Sequence, residues 1–121
     1  MTRGTDPKLI ANFTRGTVVC ERALLADGPL RRMRGLMGRR ALLRGEGLLL
    51  RPAPAIHTGF MRFPIDAVFL DGELKVLEIV ERLGPWRTAA RRGARAVLEL
   101  PAGECERRCL AVGDRVGVLD Y

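Results

Sequence analysis

Lysine, histidine and aromatic residues are scarce in this chain. Lys8 and Lys75 are the only lysines among 21 basic residues, His57 is the sole histidine, and aromatics make up 5%. The arginine bias, with abundant Ala, Gly and Leu, is what a GC-rich coding sequence produces along a whole chain. The formal charge of +7 and the pI near 10.6 suit a polyanion partner. However, few aromatics means few platforms for stacked bases. On that balance the sequence argues against a dedicated nucleic-acid role. Long apolar runs are missing as well. No stretch nears the roughly 18 residues of a membrane-spanning helix, so no membrane span is expected. The amino terminus, MTRGTDPKLIANFTRG, carries charge without the apolar run of an export signal. The expected compartment is the cytoplasm.

Cysteine is sparse and odd in number: Cys20, Cys105 and Cys109. Without an export signal this argues against a disulfide framework. Cys105 and Cys109 share a helical face if ECERRC is a helical turn. Two thiols fall short of the four ligands of a zinc site, and CxxxC is not the redox CxxC spacing. Small buried or half-buried residues are the expectation for all three.

The 121 residues, 47% apolar and 29% charged, suit one domain, 1–121, that buries roughly two-thirds of its unfolded surface. KLIANFT and TVVCERALLAD read as strands around a turn at Arg15-Gly16. In DGPLRRMRGLMGRR, Pro29 suits a first helical turn, and Leu30, Met33 and Met37 fall on one face. Gly38 can end that helix, and Gly35 inside it implies a close backbone approach. Leu48–Leu50 reads as a buried strand, with Pro52 and Pro54 marking a sheet edge or loop. Asp71-Gly72 between apolar runs predicts a two-residue hairpin with positive φ at both positions. From Ala94 to Leu100 the alternation predicts a half-buried strand with Glu99 on its polar side. A short helical turn in ECERRCLAVGD and a last strand in RVGVLDY follow. Seven or so strands and one or two short helices give a mainly β chain, a small β-sandwich or distorted barrel.

Three segments, RMRGLMGRRALLRGEGLLL, IHTGFMRFPIDAVFLD and AVLELPAGECERRCLAVGDRV, resemble in order and spacing the domain-of-unknown-function family 192. The resemblance spans about residues 16–120. It implies a small jelly-roll-like β-sandwich, and it places the family's characteristic residues at Gly35, Leu36, Met37, Arg39, Met61, Asp66, Glu99 and Gly103. Arg32 or Arg34 occupies the leading arginine position. Many members carry an export signal, which is not expected here, and the family implies no established reaction.

Candidate chemistry concentrates in HTGFMRFPID, residues 57–66. His57 has the titration range of a general base or ligand, with Asp66 or Glu99 as its candidate carboxylate partner. Cys20 is the remote thiol, with nothing marking it as activated. His57, Met61 and Met37 are the types that suit a soft metal, but Met at helical spacing fills cores; neither a metal nor a cofactor is expected. Arg39, Asp66 and Glu99 are expected to cluster, hydrogen-bonded if buried. The run Arg31, Arg32, Arg34, Arg39, Arg40 and Arg44 reads as a solvated helix face or an anion surface.

Together these readings favour a non-enzymatic accessory module. It would bind a small anionic ligand or an acidic protein partner through Arg39, His57, Thr58, Phe60, Met61, Asp66 and Glu99. The alternatives are a small hydrolase or lyase using His57 with Asp66 or Glu99, and a protein-interaction or oligomerisation domain. A monomer or weak homodimer is expected.

Overall fold

The computed structural model describes residues 6–26, 42–58 and 62–120. The predicted Arg-rich helix, with Gly35, Leu36, Met37 and Arg39, lies outside the described residues, as do Phe60 and Met61. The described residues form nine strands and one four-residue helix: β1 (Lys8–Asn12), β2 (Thr17–Ala26), β3 (Glu46–Leu50), β4 (Ala55–His57), β5 (Ile65–Leu70), β6 (Val76–Leu83), β7 (Thr88–Ala90), β8 (Ala96–Pro101), α1 (Glu104–Arg107) and β9 (Val116–Leu119). The mainly β reading therefore holds.

Seven strands form one sheet in the order β6-β5-β8-β3-β2-β1-β9, while β4 and β7 form a separate ribbon. Antiparallel pairing prevails, as short connections dictate. The exception is β2 with β3, which run parallel from Arg22 beside Glu46 to Ala26 beside Leu50. A parallel pair needs a long crossover, and the chain between these strands supplies it.

The sheet curls until its two edge strands approach at one end. Lys75 bridges to Arg115, the Val76 N–H donates to Asp114 O at 2.8 Å, and the Val116 N–H donates to Leu74 O at 3.0 Å. This closure makes the sheet a distorted half-barrel and shortens its exposed edges, which would otherwise invite pairing. Inside the curl Ile10, Val19, Leu49, Val68, Leu70, Val76, Leu98, Leu100 and Val116 form one core. A second core, with Leu48, Leu50, Ile65, Phe69 and Val97, lies on the other face beneath Leu42, Ala53 and Ile56. Central strands thus have two buried faces. All six residues of β5 and all six of β8 are buried, so β8 is not the half-buried strand its alternation suggested.

Gly47 belongs to this packing. A Cβ there would stand 2.9 Å from Cys20 Sγ and 3.1 Å from Leu100 Cδ2, so only glycine lets β2 and β8 close over β3. The β5–β6 hairpin also departs from expectation. Its positive φ falls on Leu74, at 63°, and not on the Asp71-Gly72 pair. The loop is set by the Asp71 carboxylate, which accepts from the N–H groups of Glu73 (2.8 Å) and Lys75 (2.9 Å). A short carboxylate that mimics a backbone turn does the work expected of glycine.

Candidate functional site

Asp66 enters β5 with its side chain on the inner face, since it pairs with Leu100 in β8. It is fully buried and accepts three backbone hydrogen bonds. Oδ1 takes the Arg82 N–H at 3.0 Å, and Oδ2 takes those of Gly103 at 3.1 Å and Cys105 at 3.0 Å. The donors belong to the end of β6 and the turn into α1. One carboxylate therefore ties three distant segments, and a buried carboxylate with three N–H donors is well compensated. Gly103 is required by the same device: its φ of 91° lets the chain double back so that its N–H meets Asp66.

Glu99 goes the other way. It pairs with Ala67 and Leu48, so its side chain stands on the outer face beside Ala67, Val97 and Leu48. Asp66 and Glu99 are neighbours across the strands yet separated by the sheet. The expected cluster of Arg39, Asp66 and Glu99 therefore does not form around one point, whatever the position of Arg39. Glu99 is 4% exposed, and burial raises its pKa to about 7 because low-dielectric surroundings disfavour the ionised form.

Thr58 is also buried, and its hydroxyl is engaged. Oγ1 donates to Gly84 O at 2.6 Å and accepts the Arg87 N–H at 2.8 Å. Its own N–H donates to Arg87 O at 2.8 Å, and its carbonyl accepts from the Trp86 N–H at 3.1 Å. Thr58 is thus a staple for the 84–87 turn. His57 lies beside Thr88 in the β4–β7 ribbon.

The thiols diverge. Cys20 donates to Gly45 O at 3.2 Å, and burial pushes its pKa up to about 11. Burial, then the charge and hydrogen bond of Asp66, push Cys105 well above the ordinary thiol range. Cys109 is exposed at a φ of 56°, so Cys105 and Cys109 share no helical face. Thiols held protonated are poor nucleophiles and ligands.

The Asp66 anchor supports an open groove of about 600 Å³ lined by Arg44, Arg82, Gly103, Glu104, Glu106 and Arg107 among its residues. Buried Glu104 lies at its base, hydrogen-bonded by Arg107 Nη2 at 2.8 Å; that bond, ahead of the opposing effect of burial, holds its carboxyl below the ordinary range. Arg44 and Arg82 have no carboxylate within ion-pairing distance among the described residues. Sequence reading missed this groove because Arg82 and Arg44 are far apart along the chain. It also missed Asp114, which is buried and accepts from Asn12 Nδ2 (2.9 Å), Arg15 Nε (2.8 Å) and the Ala111 N–H (2.9 Å). Burial raises the pKa of that carboxyl, but these hydrogen bonds, Arg15's first, outweigh it and hold the group below its usual range.

Residues 11–118 match the family model DUF192, "Uncharacterized ACR". The chain belongs to the DUF192 family. A UPF0127 protein of Pyrococcus furiosus is 33% identical over 109 residues, covering 87% of this DUF192 chain and 93% of its own. One from Thermococcus sibiricus is 31% identical over 113 residues, covering 89% and 73%. Two crystal structures share the fold at 25% identity. One, of unknown function from Novosphingobium aromaticivorans, has a TM-score of 0.77 and covers 92% of this chain and 83% of its own. The other, a Sinorhizobium meliloti protein provisionally described as a transcription regulator, has a TM-score of 0.80 and covers 93% and 92%. Among the described residues no helix is long and apolar enough to cross a membrane, and no three His, Cys, Asp or Glu residues are grouped to hold a metal.

Proposed function

We propose that this DUF192 chain is a small-ligand-binding module that does no covalent chemistry and takes an anionic group in the groove of Arg44, Arg82 and Arg107. The observation that carries the reading is the groove's construction. Two guanidinium groups without a carboxylate partner among the described residues border a cavity of about 600 Å³. The backbone of one of them, Arg82, is fixed by the buried Asp66. Guanidinium presents a planar donor fork suited to carboxylate or phosphate, and a rigid backbone lowers the entropy lost on binding. Among the described residues none of the predicted 57–66 segment lines this groove; Asp66 acts behind it as scaffold, fixing the backbones of Arg82 and Gly103. An enzyme using His57 with Asp66 or Glu99 is less well supported, because Asp66 already serves three backbone donors and Glu99 is buried beside Ala67, Val97 and Leu48. An acidic protein partner presenting a side-chain carboxylate uses the same chemistry.

Calorimetric titration with a panel of small mono- and dicarboxylates and phosphate esters tests the reading. Binding that weakens at least tenfold in Arg82→Ala and Arg44→Ala, with thermal stability retained, is expected. A ligand whose affinity both variants leave unchanged would place the binding site elsewhere.

A further inference from the structure

Basic residues fall in stretches free of acidic ones. Residues 51–64 and 82–95 together contain seven arginines and no Asp or Glu, and residues 28–45 contain six and none. A coding bias spreads arginine along a chain, so it does not explain this segregation. The fold then joins segments 51–64 and 82–95, because β4 and β7 pair across them from Ala55 beside Ala90 to His57 beside Thr88. Arg82 turns toward Gly103 and the groove. Arg51, Arg87, Arg91, Arg92 and Arg95 are exposed around the two ends of the ribbon. Of these, only Arg91 has a carboxylate partner among the described residues, Glu78 at 3.4 Å. The exposed ribbon residues between them, Ala55, Thr88 and Ala90, have small side chains.

One end of the ribbon displays Trp86, the sole tryptophan, 79% exposed. It is held at a φ of 61°, a conformation that strains any residue with a Cβ, and the hydrogen bonds of buried Thr58 fix its turn. Leu83 and Pro85 beside it are partly covered. An exposed indole with Arg87 beside it, and Arg51, Arg92 and Arg95 toward the other end of the ribbon, suits a stacked base followed by backbone phosphates. A lipid surface would call for further exposed apolar side chains at the tip, and the described residues there show none besides Trp86.

From this placement we propose that the β4–β7 ribbon binds single-stranded nucleic acid without sequence preference, Trp86 stacking on a base and Arg51, Arg87, Arg92 and Arg95 contacting phosphates. The surface is separate from the groove, so its failure leaves the ligand-binding reading intact.

Titrating the protein with single-stranded oligothymidylate while following Trp86 emission tests it. Quenching is expected, with log K falling against log salt at a slope of about −3, the value for four phosphate contacts to a single strand. Arg92→Ala with Arg95→Ala should reduce that slope by about 1.4, and because both residues are exposed the melting temperature should stay unchanged. Three results would overturn the proposal: no quenching at low salt, equal affinity for polyglutamate, or a blue shift with anionic phospholipid vesicles stronger than any response to the oligonucleotide.

Discussion

Replacing Glu99 with Gln should change how stability depends on pH. The carboxyl is buried on the outer face of the sheet, and burial raises its pKa from 4.5 to about 7. A raised carboxyl is bound to its proton more tightly in the folded state, so its stabilising contribution is complete below the unfolded value and is lost as pH rises through the folded one. The full loss is about 3 kcal/mol at roughly 1.4 kcal/mol per unit. Between about pH 5 and about pH 7.5 about 2 kcal/mol of that is expressed. Carboxyls such as Asp114, Glu21 and Glu104, held below their ordinary values, act in the opposite sense, but their stabilisation is lost only as pH falls below this window. Urea unfolding at the two pH values measures the effect, since ΔG falls linearly with denaturant. Wild type should lose about 2 kcal/mol relative to Glu99→Gln as pH rises, a midpoint difference of about 1 M at a slope of about 2 kcal/mol per M urea. Any titration common to both proteins cancels in that comparison. Parallel pH profiles would refute the reasoning and show that Glu99 ionises without penalty in the fold.

Three other perturbations probe the scaffold. Asp66→Ala strands three backbone N–H groups and should destabilise by about 3 kcal/mol in urea titration; a change within error would remove Asp66 as the anchor of the β6–α1 end. Gly103→Ala has space for its methyl, with Arg82 Nη2 at 3.7 Å, but a φ of 91°, so strain of about 1–2 kcal/mol should appear as a lower melting temperature. A thiol reagent should modify one cysteine, Cys109, in the folded protein and all three after unfolding. Labelling of Cys20 or Cys105 at a similar rate would contradict their burial.

Much of the fold was legible because its signals are local. Strands at Lys8–Asn12, Thr17–Ala26, Leu48–Leu50 and Val116–Leu119 follow from short apolar runs between turn residues, and the number of such runs indicated a β barrel or sandwich. The motif residues Asp66 and Gly103 stood out through the family resemblance, though not the hydrogen bond that joins them. Glu99 was read as facing the polar side because period-two alternation reports on only one buried face, and a strand central to a curled sheet has two.

The sequence by itself therefore determined the strand content and the family, since these rest on residue order within a few turns of chain. Which face each carboxylate occupies was decided only by the tertiary structure, because register between β5 and β8 sends Asp66 and Glu99 to opposite sides. Tertiary structure likewise gathered Arg44, Arg82 and Arg107 into one groove and drew two acid-free segments, 51–64 and 82–95, together through one ribbon. Those contacts join residues far apart in the chain, and strand pairing rather than local composition brings them together.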